Sequence, residues 1–491
     1  MRPTIDPSVK PEYYCQLYHS KWQKVHMMIL QHRSMSDLIG HLQCSLTLSF
    51  PYIDYPQYEV LNLILTATTT TSFGLSDDEI TTTFPGMSDI RTLSGRAADY
   101  LQSLIDLLSH AENWIDGDED SLSSKTFAIE LESLWNLLYR LFGFLSLNKA
   151  RPGRRNASDR GRRIPSSSSE NHITELDDAD DDGLNILKYV RFISEEEWLS
   201  RTELFGNTNF DRLGRDPWDY FLWGFKCSIQ GLTQGDEISR LTWAVWKNVL
   251  YLVLRFYNLE WQRFNRNDDE FTLTMLRNSN SLFFANILVL GRSDLDAGLH
   301  ELAKLALVHS IDSLERIRPI MEGDLILRDS SEYVPELLDP EEDESQLGIE
   351  SIPLRRELLL LGYRYITLLD QDIQVKYKRR YVQAASTCLL KVGDCDLRHF
   401  FAIGKETSSP DRIFMTRIAY RIIDDLTGIN RSKFKGQEDT VEAIFEAEIE
   451  DDSRVPILLS FLAQNDSNFA SSNYVRRLAS KIEEPILGNI E

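Results

Sequence analysis

The chain has 491 residues, of which 42% are apolar, and a formal charge of −23 from 76 acidic and 53 basic side chains. That length and apolar content exclude a wholly disordered polypeptide and allow roughly two to four domains with cores of their own. The acid excess repels nucleic acid at long range, so any contact with it has to be local, and five scattered cysteines do not resemble the dense framework of a secreted disulfide scaffold.

From the amino terminus, "MRPTIDPSVKPEYYCQ" lacks an apolar core segment and predicts neither a secretory signal nor a transit helix. Apolar residues at helical spacing predict helices over 13–33, 88–115 and 124–147, the last through Phe127, Leu131, Leu134, Leu138, Leu141 and Leu145. The threonine-rich stretches near Thr47 and from Thr66 to Thr71 are the weakest points for an all-helical reading. Cys15, His19, His26, His32, His41 and Cys44 crowd this region. Cys15 and His19 are one helical turn apart and His41-x-x-Cys44 has a ligand-like gap, but no C-x-x-C pair anchors a zinc site, so packing is the expected role and no cofactor is predicted. "DGDEDSLSSKTF" sets Asp116, Asp118 and Asp120 at calcium-loop positions, with Ser121 in place of the required glycine and Phe127 in place of the bidentate glutamate. Residues 1–148 read as an N-terminal helical domain.

Residues 149–183 break the pattern. Lys149, Arg151, Arg154, Arg155, Arg160, Arg162 and Arg163 precede a run of serines, and seven acidic residues follow between Glu170 and Asp182. A segment of this composition cannot bury enough apolar surface to order itself and reads as a disordered linker. Its basic block resembles a nuclear-localisation or nucleic-acid patch. Ser158 and Ser166 each follow an arginine pair at R-R-x-x-S spacing, where phosphorylation would place about −2 charge inside the block and mask it.

Residues 184–326 read as a central, aromatic-rich helical domain. "DPWDYFLWGFKCSIQG" offers Asp216 as a cap and Pro217 at the first helical position. In "RLTWAVWKNVLYLVLRFYNLEWQRF", Trp243, Trp246, Leu250, Leu254, Tyr257 and Trp261 lie along one helical face, with Val245, Val249, Leu252, Val253 and Phe256 filling much of the rest. A helix apolar nearly all round is buried on several sides. Lys247, Asn248 and Arg255 interrupt the run well short of the ~20 apolar residues of a membrane span. This pair, Asp216 to Trp261, resembles a signature of a family of large, uncharacterised fungal helical proteins. The resemblance covers under a tenth of the chain, implies a helical intracellular scaffold, and carries over no activity or ligand. A third helix is expected behind Ser293, through Leu295, Leu299, Leu302, Leu305, Ile311 and Leu314.

Residues 327–350 form a second, acidic linker, and 351–491 a C-terminal helical domain of short amphipathic units such as "IPLRRELLLLGYRYITLL" and "PDRIFMTRIAYRIIDDLTG". Within it, "VKYKRRY" places Lys376, Lys378, Arg379 and Arg380 beside Tyr377 and Tyr381, which as a nucleic-acid patch would hold phosphates and stack bases, and otherwise is the wet face of a helix. Cys388, Cys395 and His399 invite a metal reading with the same weakness as the amino-terminal group. "EDTVEAIFEAEIEDD" aligns Val441, Ile444, Phe445 and Ile449 among carboxylates, as a docking helix or an ordinary surface helix would. "HELAK" has Lys304 where a zincin needs its second histidine, and no phosphate-loop, dinucleotide or nucleophile-elbow motif occurs.

The fold expected is all-α: an irregular helical-repeat array of the HEAT/ARM kind, or a multi-helix bundle, with charged disordered linkers. The function expected is a non-enzymatic scaffold or adaptor subunit of a nuclear complex, binding other protein subunits, with the nucleus as its place and the cytoplasm as the alternative. The other readings are a nucleic-acid-associated chromosome-maintenance factor using its basic patches, and a helical enzyme with a non-local active site.

Overall fold

Apolar residues three and four apart, broken by Gly, Pro and Asp, dictate helices, and the computed structural model is all-α. It describes residues 35–48, 55–56, 58–69, 93–115, 122–143, 217–266, 271–278, 281–289, 294–309, 317, 345–404, 407–427 and 454–465. By contact the chain divides into two compact units, one of residues 1–67 and 76–216, the other of residues 68–75 and 217–491.

In the first unit α1 is Met35–Leu48, α2 Tyr58–Thr68, α3 Leu93–Ile115 and α4 Leu122–Gly143. The helix α3 packs against both α1 and α4, burying Leu101, Leu104 and Ile105 with Leu38, Ile39 and Leu42 and with Leu134, Leu138 and Leu141. Thr47 lies inside α1, and Thr66 and Thr68 inside α2, rather than in strands, because the leucine and isoleucine spacing around them is helical.

The second unit begins with α5, Pro217–Leu232, whose first residue is the proline expected there. A turn at Gly235, with φ of 72°, leads into α6, Glu237–Asn265. Asp236 caps α6 by accepting the Ser239 N–H at 3.2 Å. The two pack closely: a Cβ on Gly231 would lie 2.4 Å from the Arg240 nitrogen, and one on Gly224 would lie 2.7 Å from Leu250. Trp243, Trp246, Leu250, Leu254 and Tyr257 are all buried, so the aromatic stripe of α6 is core. Tyr251, on its opposite face, is 48% exposed.

After α7, Leu273–Asn278, a short π-helix runs Phe284–Val289. The next helix, α8, is Leu295–Ala306, with Asp294 rather than Ser293 as its cap, accepting the Ala297 N–H at 2.8 Å. It stops earlier than the apolar spacing predicts: the Leu307 N–H returns to the Ala303 carbonyl, and Arg355 takes the Ala306 and Val308 carbonyls at 3.0 and 2.9 Å. Ile311 and Leu314 lie outside the described residues.

A 3-10 turn, Ile349–Ser351, opens into α9, Ile352–Thr367, followed by α10, Gln371–Leu389, α11, Asp394–Phe401, α12, Ser409–Thr427, and α13, Arg454–Asn465. The helix α9 packs against α6, α8, α10, α11 and α12, and residues Leu358 to Ile366 are buried without a break. That arrangement is a bundle around α9. The expected segments 184–326 and 351–491 therefore contribute helices to one unit, since α9 seats between helices of both. The end of the expected acidic linker is likewise tied down, with the Gln346 and Leu347 N–H groups donating to Asp396 at 2.7 and 3.0 Å. Among the described residues there is no strand, only an isolated bridge between Phe271 and Leu369, and no helix is long and apolar enough to cross a membrane.

Candidate interaction surface

Five helices enclose α9, and the ionisable groups drawn into that interior are held by internal partners. Glu260, on α6, is 2% exposed. Its carboxylate accepts the Leu282 N–H at 2.7 Å, the Phe283 N–H at 3.2 Å, the Ser281 hydroxyl at 3.0 Å and the Tyr365 hydroxyl at 2.7 Å. It thus caps, from another helix, the turn that opens the π-helix. Burial pushes its carboxyl above the usual carboxylate range, against the downward pull of those four hydrogen bonds.

Arg355 is fully buried, its guanidinium 4.0 Å from the centre of the Phe225 ring. Besides Ala306 and Val308 it donates to the Leu347 carbonyl at 3.4 Å and the Ser351 hydroxyl at 2.8 Å, and burial lowers it to about 9. Arg364 holds α6, α9 and α12 together. It meets Asp411 at 2.7 and 3.0 Å, Glu357 at 2.6 Å and the Asn258 amide oxygen at 2.9 Å. The Trp261 Nε1–H donates to the Arg364 carbonyl at 3.0 Å. Burial works to lower Arg364, and the two carboxylates more than reverse it.

Exposed cations and an exposed aliphatic side chain stand together on α10. Its inward stripe is Tyr377, Tyr381, Ala384, Ala385 and Leu389. Outward stand Val375, 70% exposed, with Lys376, Arg379, Arg380, Gln383 and Thr387. The four cations of the expected patch divide by direction. Lys376 and Arg379 face solvent. Arg380 turns to α8 and pairs with Asp296. Lys378 turns to α9 and α12: Gln374 Oε1 holds its ammonium at 2.5 Å, and the Tyr363 ring centre lies 5.4 Å from it. The aromatic half of the pattern is interior, since Tyr381 donates to the Leu359 carbonyl at 3.0 Å, stacks on Phe414 at 5.3 Å, and is 0% exposed. Neither tyrosine is placed to stack a base, because a helix that buries residues 377 and 381 buries both on one stripe.

Between α8 and α10 lies a cleft of about 430 Å³ lined by Asp296, Leu299, His300, Arg380, Gln383 and Thr387. The histidine of "HELAK" thus opens on this cleft, while Glu301 of the same motif pairs with Lys304 at 2.7 Å. Cys395 and His399 share one face of α11, with His399 Nδ1 2.8 Å from the Cys395 carbonyl. Burial pushes the Cys388 thiol up, against the pull of Lys391 and Lys304. Among the described residues no three His, Cys, Asp or Glu side chains converge as metal ligands. Cys15, His19, His26, His32, Asp116, Asp118, Asp120, the acidic segment 438–452 expected as a helix, the linker cations Lys149 to Arg163, Ser158 and Ser166 all lie outside the described residues.

Glu260, Arg355 and Arg364 carried no warning in the sequence beyond one faint signal: each is a charged residue inside an otherwise apolar helical run. No family model matches the chain, and no curated protein is similar to it.

Proposed function

We propose that this protein is a non-enzymatic scaffold or adaptor subunit of a nuclear multiprotein complex, and that it holds a partner protein on the outer face of α10. The observation that carries the reading is Val375, a 70% exposed aliphatic side chain beside Lys376 and Arg379 on a helix whose inner stripe is anchored in the bundle. An apolar anchor ringed by charge is a common composition for a protein-docking patch, and the cations suit an acidic partner. The fixed interior favours it too, because a rigid helix presents such groups with little ordering cost on binding. Cross-linking and affinity capture of the tagged full chain from cells tests the reading. Val375→Asp is expected to lose the captured partner while the circular dichroism spectrum and melting temperature stay those of the wild type. Retention of the same partner set refutes it. The nuclear part of the proposal rests on the basic block from Lys149 to Arg163, and an unchanged cytoplasmic signal on deleting residues 149–163 overturns it.

A second reading, local nucleic-acid binding, has the exposure of Lys376 and Arg379 in its favour. Affinity for an oligonucleotide that falls steeply with salt supports it, whereas salt-insensitive affinity for a protein supports the first.

A further inference from the structure

Three exposed cations of α10 and its end form no ion pair among the described residues: Lys376 and Arg379 on the helix and Lys391 just beyond it. Val375 stands beside the first two, 70% exposed, and the α8–α10 cleft opens on the same helix with Ala297, Leu299 and Ala384 among its walls. In a chain with a charge of −23 such a face attracts acids, and one group of them is tied to this helix by the fold. Arg454, the first residue of α13, donates from Nη1 to the Leu390 carbonyl at the C-terminal end of α10, at 2.8 Å. Almost directly before Arg454 in sequence runs "EDTVEAIFEAEIEDD", residues 438–452. It holds eight carboxylates and no basic side chain, with Val441, Ile444, Phe445 and Ile449 at helical spacing.

We propose that the outer face of α10 is the docking site of the chain's own segment 438–452. Length and charge both fit. From Val441 to Arg454 is 13 residues, and from Val375 to Leu390 is 15. At a helical rise of about 1.5 Å per residue these span about 20 and 22 Å. With Arg454 fixed at Leu390, a helix lying alongside α10 in the same direction brings Glu438, Asp439 and Glu442 to Lys376 and Arg379. The same placement sets the apolar stripe against Val375 and the cleft, and Glu450, Asp451 and Asp452 against Lys391, the helix-in-groove mode with charge at both ends. The connection from α12 permits it: the ten residues 428–437 reach up to about 33 Å, more than the roughly 28 Å length of the 19-residue α10. The acidic run 339–344 has charge but no apolar residue to seat on Val375. Because the segment is held within reach by the chain itself, weak intrinsic affinity suffices to occupy the face, and a partner protein has to displace it. The inference deepens the docking reading above and rests on it only for that competition.

The test is zero-length carbodiimide cross-linking of the full chain, read by mass spectrometry on the monomer band. The Lys304–Glu301 and Lys247–Glu350 pairs, 2.7 and 3.0 Å apart, are the positive controls. Links are expected from Lys376 to Glu438, Asp439 or Glu442, and from Lys391 to Glu450, Asp451 or Asp452. A second measurement uses a labelled peptide of residues 436–454. The full chain with residues 438–452 replaced by an equal length of Gly and Ser is expected to bind it roughly 10-fold tighter than the wild type, whose face is already filled. Lys376→Glu with Arg379→Glu on the replaced chain removes that binding, and both changes are at exposed positions. Should the replaced chain fail to fold, the cross-links decide alone. Control links without the expected ones, links from Lys376 and Lys391 to other acidic runs, links found only between two copies, or equal peptide binding by the two folded chains overturns the proposal. Capture from cells separates the two readings. A partner lost with Val375→Asp, from a chain that shows no such links, refutes the internal docking and leaves the docking surface standing. Links present, with the partner set of Val375→Asp unchanged, refutes the docking surface and leaves the internal docking standing.

Discussion

The described interiors of the two units are built differently. In the first unit the buried polar side chains, Asn62, Ser94 and Ser133, are neutral, and the packing of α1, α3 and α4 is leucine against leucine and isoleucine. In the second, Lys226, Glu260, Arg355, Arg364, Asp396 and Asp411 are buried, each on partners from another element. Apolar contact is non-directional and tolerates repacking, whereas a buried charge is stable only with its full set of partners in place. The first unit is held by area and the second by area plus a set of obligatory registers. Arg364 fixes α6, α9 and α12 against one another, and Glu260 fixes α6 against the turn at Ser281. That rigidity is what lets α10 present Val375 and Lys378 in defined directions.

The contrast can be broken most directly at Arg364. Arg364→Met strands Asp411 and Glu357 and is expected to cost about 3–5 kcal/mol in denaturant unfolding, of which Asp411→Leu on the same background recovers a substantial part. Equal losses in the single and double variants would mean that the ion pair sets no register. In the first unit Leu138→Ala, at a position 0% exposed, should cost about 2–5 kcal/mol through lost burial and a cavity. Here a large-for-small change at a facing position is the route to rescue, and no charge reversal is.

Glu260→Gln sharpens the comparison through pH. Because burial raises the folded-state pKa of Glu260 above its unfolded value, this group's contribution to stability is full below the unfolded pKa and is lost as pH rises through the folded one. The glutamine variant, expected to lose about 1–3 kcal/mol at low pH by leaving one buried N–H or hydroxyl poorly matched, should lack that decline. Urea unfolding at several pH values measures it, and parallel curves for the two proteins would refute the assignment. The smallest effect is expected at Arg380, 54% exposed at its side chain: Arg380→Ala should change stability by less than about 1 kcal/mol, since the pair with Asp296 is bathed in solvent. A larger loss would mean that the α8–α10 cleft is structural.

Much of the fold was legible in one dimension. Period and punctuation placed α3 to α6, α9 and α12 close to their observed ends, and Pro217 opens its helix where the structure has it. The candidate surface was half legible. Residues 376 to 380 were found as a basic run, but their division among solvent, α8 and α9 depends on neighbours that a helical period does not reveal. The tyrosines between them read equally well as stacking platforms or as a core stripe.

By itself the sequence determined that this protein is helical and which face of each helix is apolar, because backbone geometry turns residue spacing directly into a stripe. Only the tertiary structure decided which charges enter the interior and which partners hold them there. Glu260 meets Leu282 and Tyr365 across 22 and 105 residues, and Lys378 of α10 lies over the Tyr363 ring of α9. The energy of a buried or paired charge depends on the partners within a few ångströms, and that set exists only once the helices have packed.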